Sequence, residues 1–186
     1  MRATIRYANP GDAASLAALA ERTFRETFTG TTSARNMNLH CVQNFSDQIQ
    51  LEEIISPRFI TILAEAESEL IAYAQLRLNS SVEVVNARQP SELYRLYVLH
   101  EQHGSGLANQ VMQEALGAAA KAKSDYIWLG VWEQNPRAIT FYKKYGFSVV
   151  GDHIFTLGLD PQRDFIMAAE IEGASVTNDF EAATDE

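Results

Sequence analysis

The feature that most constrains this chain is a strand that runs through two closely spaced glycines into a helix. Residues 92–99 are dense in aromatic and aliphatic side chains and read as a strand. His103-Gly104-Ser105-Gly106-Leu107-Ala108-Asn109 follows. From residue 104 to about 121, Leu107, Val111, Ala115 and Ala119 recur at helical spacing. Residues 126–132 form a second short apolar run rich in β-formers. A strand–helix–strand unit of this kind is a right-handed crossover by default, which makes its two strands parallel neighbours.

The rest of the pattern extends this unit on both sides. Asn9-Pro10-Gly11-Asp12 is turn and cap chemistry, and Leu16, Leu19, Thr23, Phe24 and Phe28 then mark an amphipathic helix over 12–28. Residues 34–44 read as a short helix. Ser46 can cap a third, which ends at Ser56-Pro57 because the residue before proline disfavours the α conformation. Residues 58–66 and 70–78 read as strands joined by Glu67-Ser68-Glu69, a hairpin. Residues 79–91 read as a polar loop. Residues 136–145 are helical again, ended by Gly146, and strands are expected near 147–157 and 164–171. The expected order is α-α-α-β-β-β-α-β-α-β-β, an α+β domain with a mixed central sheet flanked by helices.

Charge and cysteine content exclude several classes. The chain has 186 residues and a formal net charge of −9. No Lys or Arg follows Arg163, whereas seven acids do, so residues 1–163 are nearly neutral. A nucleic-acid partner needs a clustered basic face, and none is visible. The acidic end reads first as a solvated tail. Cys41 is the single cysteine, so no internal disulfide can form, which fits a reducing compartment. No run approaches the roughly 20 apolar residues of a membrane span, and no signal peptide is visible. A cytoplasmic protein is therefore expected.

The glycine loop carries the first chemistry. A helix N-terminus presents unpaired N–H groups and a partial positive charge, and glycines let a ligand approach the backbone. The layout suits a phosphate or pyrophosphate; a tight packing turn is an equal alternative. Ala108-Asn109 does not provide the Lys-Ser/Thr ending of a P-loop, and Asn109 stands where a dinucleotide fingerprint needs a third small residue.

Three blocks together resemble the GNAT superfamily of acyl-CoA N-acyltransferases. Leu96-Tyr97-Val98 looks like the end of that family's central strand. His103-Gly104-Ser105-Gly106-Leu107-Ala108 is similar to its pyrophosphate loop, with His103 where Gln or Arg is usual. Asn135-Pro136-Arg137-Ala138-Ile139-Thr140-Phe141-Tyr142-Lys143-Lys144-Tyr145-Gly146-Phe147 is similar to its Asn-x-x-Ala…Phe-Tyr…Gly-Phe block. The resemblance implies the acyl-CoA N-acyltransferase fold, one domain over 1–172 and an acidic tail over 173–186. It also implies acetyl-CoA as co-substrate and direct attack by an amine on the thioester.

The resemblance also implies residue roles. The backbone from Gly104 through Ser105, Gly106, Leu107 and Ala108 to Asn109, with His103, would hold the pyrophosphate. Leu96, Tyr97 and Val98 would hold the pantetheine arm, given a splay between residues 92–99 and 126–132. Tyr142 would contact the cofactor and act as general acid toward the departing thiolate. Asn135 is a helix cap and also matches a pantetheine-contacting position. Glu92 is the candidate base, with an exposed strand-end carboxylate as the plainer alternative. No metal is expected.

Residues 21–28, 128–133, 151–155 and 164–167 are similar to one subgroup, the PaiA-type spermidine/spermine acetyltransferases. That makes a polyamine the expected small-molecule acceptor and His153 a candidate lining residue, though a structural histidine first. An N-terminal peptide acetyltransferase and a non-catalytic acyl-CoA-binding regulator are the alternatives. A homodimer is expected from resemblance alone.

Overall fold

The computed structural model describes residues 3–171; the acidic segment 173–186 lies outside the described residues. Seven strands form one mixed sheet: β1 (Thr4–Tyr7), β2 (Phe59–Ala66), β3 (Glu69–Leu78), β4 (Pro90–Val98), β5 (Tyr126–Trp132), β6 (Ser148–Leu157) and β7 (Asp160–Glu170). Their spatial order is β1-β2-β3-β4-β5-β7-β6. Among the described residues five α-helices flank it: α1 (Ala13–Phe28), α2 (Ala34–Asn44), α3 (Asp47–Ile55), α4 (Leu107–Lys121) and α5 (Pro136–Lys143). β4 and β5 are the one parallel pair among the described strands, as the crossover between them requires.

Local chemistry explains most boundaries. The Ser33 and Ser46 hydroxyls accept from the backbone N–H groups of Asn36 and Ile49 and so start α2 and α3. Asn135 does the same for Ala138, with Pro136 at the first helical position of α5. Glu67 and Ser68 both adopt positive φ, the geometry of the two-residue turn that matches strand twist between β2 and β3.

Three differences from the sequence expectation have clear causes. β1 was not expected. It is four residues long and pairs only with β2, so it exists by adding to an edge that β2 offers. β4 begins at Pro90 rather than 92, which a strand's first position tolerates. β7 begins at Asp160 rather than 164, because Pro161 and the charges around it hide a strand that pairs with β6 from Asp160 onward.

The apolar core lies on both faces of β2–β5. Leu16, Ala20 and Phe24 of α1 enter from one side, and Leu107, Val111, Met112, Ala115 and Ala119 of α4 are all buried. The helical register read from the sequence for α4 is the one observed. One polar cluster interrupts the core on the α3 side. Arg95 is 7% exposed and pairs with Glu53 of α3 at 2.6 Å and with the Gln75 amide oxygen at 2.7 Å. A bulge in β4 at Tyr94, where Gln75 pairs Arg95 but Leu76 pairs Leu93, sets this arginine on that side.

Candidate active site

The site begins where two strands part. β4 and β5 pair only from Pro90/Tyr126 through Glu92/Trp128. Beyond Glu92, β4 stays paired with β3 as far as Val98, so its opposite edge is left without a ladder. Leu96, Tyr97 and Val98 lie on that open stretch and are half-buried. An unpaired strand edge offers main-chain donors and acceptors to an extended ligand.

The glycine loop sits at the mouth of this opening. Gly104 and Gly106 both have φ of +84°, and a Cβ built on either would meet nothing within 4 Å. The loop is therefore not closed by packing. Its glycines are needed for the left-handed backbone, and space for a ligand lies above them. Among the described residues the N–H groups of Gly104, Gly106 and Ala108 have no hydrogen-bond acceptor. Three free donors at the start of α4 fit a pyrophosphate. Ser105 does something different: its hydroxyl donates to the Gln102 carbonyl and accepts from the Leu107 N–H, which fixes the turn.

His103 ties the loop together. Its Nδ1 lies 3.0 Å from the Arg137 guanidinium and its Nε2 lies 3.0 Å from the Val98 carbonyl. Arginine can only donate, so Nδ1 must accept, and Nε2 must then carry the hydrogen that goes to Val98. Partial burial, reinforced by Arg137, pushes the imidazole below its usual value and so favours its neutral form. The positive charge beside the loop thus belongs to Arg137, the third residue of the Asn135–Phe147 block. A second link runs from the Tyr145 hydroxyl of α5 to the Asn109 side chain of α4, at 2.9 Å.

Tyr142 and Tyr97 pack against the core close to each other. Burial alone pushes the Tyr142 hydroxyl up to about 12. Burial also raises Tyr97, with Tyr73, Tyr142 and Asp164 as anionic neighbours if ionised. Tyr142 is therefore a neutral phenol at any pH the protein meets, able to donate but not to accept a proton. The Asn135 side chain is engaged as the cap of α5 through its Oδ1.

Glu92 lies at the closed end of the opening, where β4 and β5 are still paired. It is buried, and its Oε2 accepts from Arg77 at 3.0 Å and from Ser80 at 2.9 Å. The structure thus links the loop to the end of β4 and to Arg137 through His103, sets Tyr142 near Tyr97, and holds Glu92 in an ion pair with Arg77.

A residue given no role in the sequence reading lies on the same face of the sheet. Asp164 of β7 pairs across to Trp132 of β5 and His153 of β6. Gly130 stands diagonal to it. A Cβ on Gly130 would lie 3.0 Å from His153 Nε2 and 3.6 Å from Asp164 Oδ2. The available signal was Gly130 itself, a lone glycine in the bulky strand Tyr-Ile-Trp-Leu-Gly-Val-Trp, which marks a close approach. Burial, helped by Glu133, lifts the Asp164 carboxyl to about 6.

Beside this group is a cleft of about 460 Å³ whose lining includes Gly30, Thr31, Trp132, Glu133, Asp160 and Arg163. An apolar cleft of about 450 Å³ near Tyr7, Ile54, Phe59 and Lys121 touches none of these residues. Among the described residues no cluster of three metal-ligating side chains occurs, and no helix is long and apolar enough to cross a membrane.

A parted parallel strand pair, a glycine loop at the following helix and a tyrosine-bearing second helix define an acyl-CoA N-acyltransferase fold. The model of the acetyltransferase (GNAT) family matches residues 17–147, and the chain belongs to that family. It is an acetyl-CoA-dependent N-acetyltransferase. An uncharacterized N-acetyltransferase of Mycobacterium tuberculosis is 32% identical over 160 residues, covering 86% of this chain and 98% of the relative. One of Lactobacillus delbrueckii subsp. lactis is 26% identical over 150 residues, covering 81% and 87%. Among solved structures, the PaiA N-acetyltransferase of Thermoplasma acidophilum in complex with coenzyme A aligns with a TM-score of 0.75 and 25% identity, over 91% of this chain and 99% of that one.

Proposed function

We propose that this enzyme acetylates a primary amine of a small polycationic acceptor, of the spermidine/spermine kind, by direct attack on acetyl-CoA. The observation that carries the donor half is the parting of β4 from β5 beyond Glu92, with three free N–H donors at the start of α4. In this reading Gly104–Asn109 and Arg137 hold the pyrophosphate. The edge of Leu96, Tyr97 and Val98 holds the pantetheine arm and orients the thioester. Asn135 keeps α5 in place, and Tyr142 donates to the sulfur as the C–S bond breaks. Two observations support the acceptor half. The Thermoplasma protein similar over 91% of this chain is a PaiA N-acetyltransferase, and the cleft beside Trp132 is bordered by Glu133, Asp160 and Arg163, one more acid than base.

The test is a turnover panel with acetyl-CoA, read by free-thiol release, offering spermidine, spermine, amino acids and short peptides. Spermidine and spermine should lead. Faster turnover of peptides would replace the polyamine acceptor by a peptide N-terminus. Acetyl-CoA binding with no turnover of any amine would point to a regulatory acyl-CoA-binding role.

The same reading takes residues 1–172 as a single catalytic domain in the cytoplasm. It also takes the chain as a homodimer. The open edge of β6, with Val149, Val150 and Ile154 exposed, supports that assembly. Sedimentation would decide it by mass.

A further inference from the structure

Two acids of this protein are equally buried and differ in one respect. Glu92 and Asp164 are each 8% exposed. Glu92 holds Arg77 and Ser80. Glu53, also deep, holds Arg95. Asp164 holds nothing: neither oxygen makes a hydrogen bond among the described residues, and its Oδ1 is wholly shut off from solvent. A buried carboxylate without a partner is costly, and folds retain such groups mainly where they act. The neighbouring arginine is not available to it. Arg163 points to the other face of β7 and pairs with Glu133 at 3.2 Å and Asp152 at 3.1 Å.

Titratable groups near Asp164 are His153 on β6, Glu133 just after β5, the Tyr97 hydroxyl on β4 and, beyond it, Tyr142 on α5. None of these is a fixed cation. Gly130 lies two residues past the last β4–β5 pair. Its missing side chain lets His153 Nε2 and Asp164 Oδ2 close on β5, where a Cβ would lie 3.0 and 3.6 Å from them. Those two groups form no ion pair with each other within 4 Å, although they share one cross-strand position.

We propose that Asp164 is the acceptor-side catalytic residue: its carboxylate receives the incoming ammonium beside Gly130 and takes its proton. The inference rests on the amine-acetylation reading above. The acceptor ammonium loses two protons over the reaction. Asp164 takes the first, which leaves the neutral amine, and passes it to water. The amine nitrogen then forms the C–N bond as the C–S bond breaks. The second proton leaves the nitrogen and replaces the one that Tyr142 gives to the sulfur. The products are the acetamide, free CoA thiol and one released proton. A carboxyl near 6 is ionised at neutral pH and still basic enough to exchange protons there.

The experiment uses the full chain and its best amine from the panel. Asp164→Asn should lower kcat by about 100-fold or more, the usual scale of a lost acid–base group. It should remove an acidic limb near pH 6 from the wild-type pH–rate profile and leave acetyl-CoA affinity within about twofold. A structural role would not produce the accompanying change in stability. Because the folded-state value is raised, the charged carboxylate costs stability above it, and that cost disappears as pH falls toward the unfolded value. Asp164→Asn should therefore melt higher than wild type at pH 8, with the gain shrinking toward pH 4. Retained kcat with an intact acidic limb, or a variant that melts lower at pH 8, overturns the Asp164 assignment alone. A wild type that binds acetyl-CoA and acetylates no amine overturns both readings.

Discussion

In the proposed site the donor and acceptor halves are built from different materials. The proposed donor half is made of backbone: the open edge of β4, the Gly104–Asn109 loop and the N-terminus of α4, all within one stretch of chain. The proposed acceptor half is made of side chains from distant segments: Thr31 after α1, Trp132 and Glu133 at the end of β5, His153 on β6 and Asp164 on β7. Backbone groups recognise what every acyl-CoA shares, the pyrophosphate and the pantetheine amides. Side chains can change without disturbing that frame. A fold that divides the work this way can keep one co-substrate and vary the amine.

Substitutions on the two sides should therefore separate cleanly in kinetics. The largest effect should come where the halves meet. Tyr142→Phe removes the hydroxyl and keeps the ring against Phe141 and Phe147. It should lower kcat by about 10² with acetyl-CoA binding nearly unchanged. An unchanged kcat would take Tyr142 out of the reaction.

Next is Gly106→Ala on the donor side. A side chain at φ of +84° strains the backbone by about 1–2 kcal/mol, which the loop can relieve only by turning its N–H groups. The KM for acetyl-CoA should rise about tenfold and that for the amine should not. An equal rise in both would mean the two halves are not separable.

On the acceptor side, Gly130→Ala places a methyl 3.0 Å from His153 Nε2, the mobile tip of an exposed side chain. The histidine can move, so stability should hold. The amine KM should rise by several-fold while acetyl-CoA affinity, measured by calorimetry, stays the same.

The smallest effect expected is a pH independence. Burial and Arg137 lower the His103 value, which favours the neutral ring, and Arg137 carries the fixed charge. Acetyl-CoA affinity should be flat across pH 6.5–8, and His103→Gln should change it by less than about threefold, because glutamine can also donate to Val98 and accept from Arg137. A fall in affinity from pH 6.5 to 8 would mean that protonated His103 binds the phosphates itself.

The glycine loop, the crossover and the α4 register were legible because each depends on residues close in sequence. Helical spacing, capping and positive φ are local properties. The Asn135–Phe147 block was legible for the same reason. β1 was not, since four residues become a strand only when β2 offers them an edge. The start of β7 was hidden because Pro161 and its charged neighbours form a strand only through pairing with β6.

The partnering of acids was equally out of reach. Glu92 and Asp164 look alike as letters, one at the head of a strand and one among the acids of the C-terminal end. By itself the sequence determined a strand–glycine loop–helix unit able to hold a pyrophosphate, and, through resemblance, the acyl-CoA that carries it. Only the tertiary structure decided which carboxylate meets an arginine and which is buried alone beside the opening. Ionisation inside a protein depends on what the folded chain places within a few ångströms, and Arg77 and Gly130 are brought there by strand pairing rather than by sequence proximity.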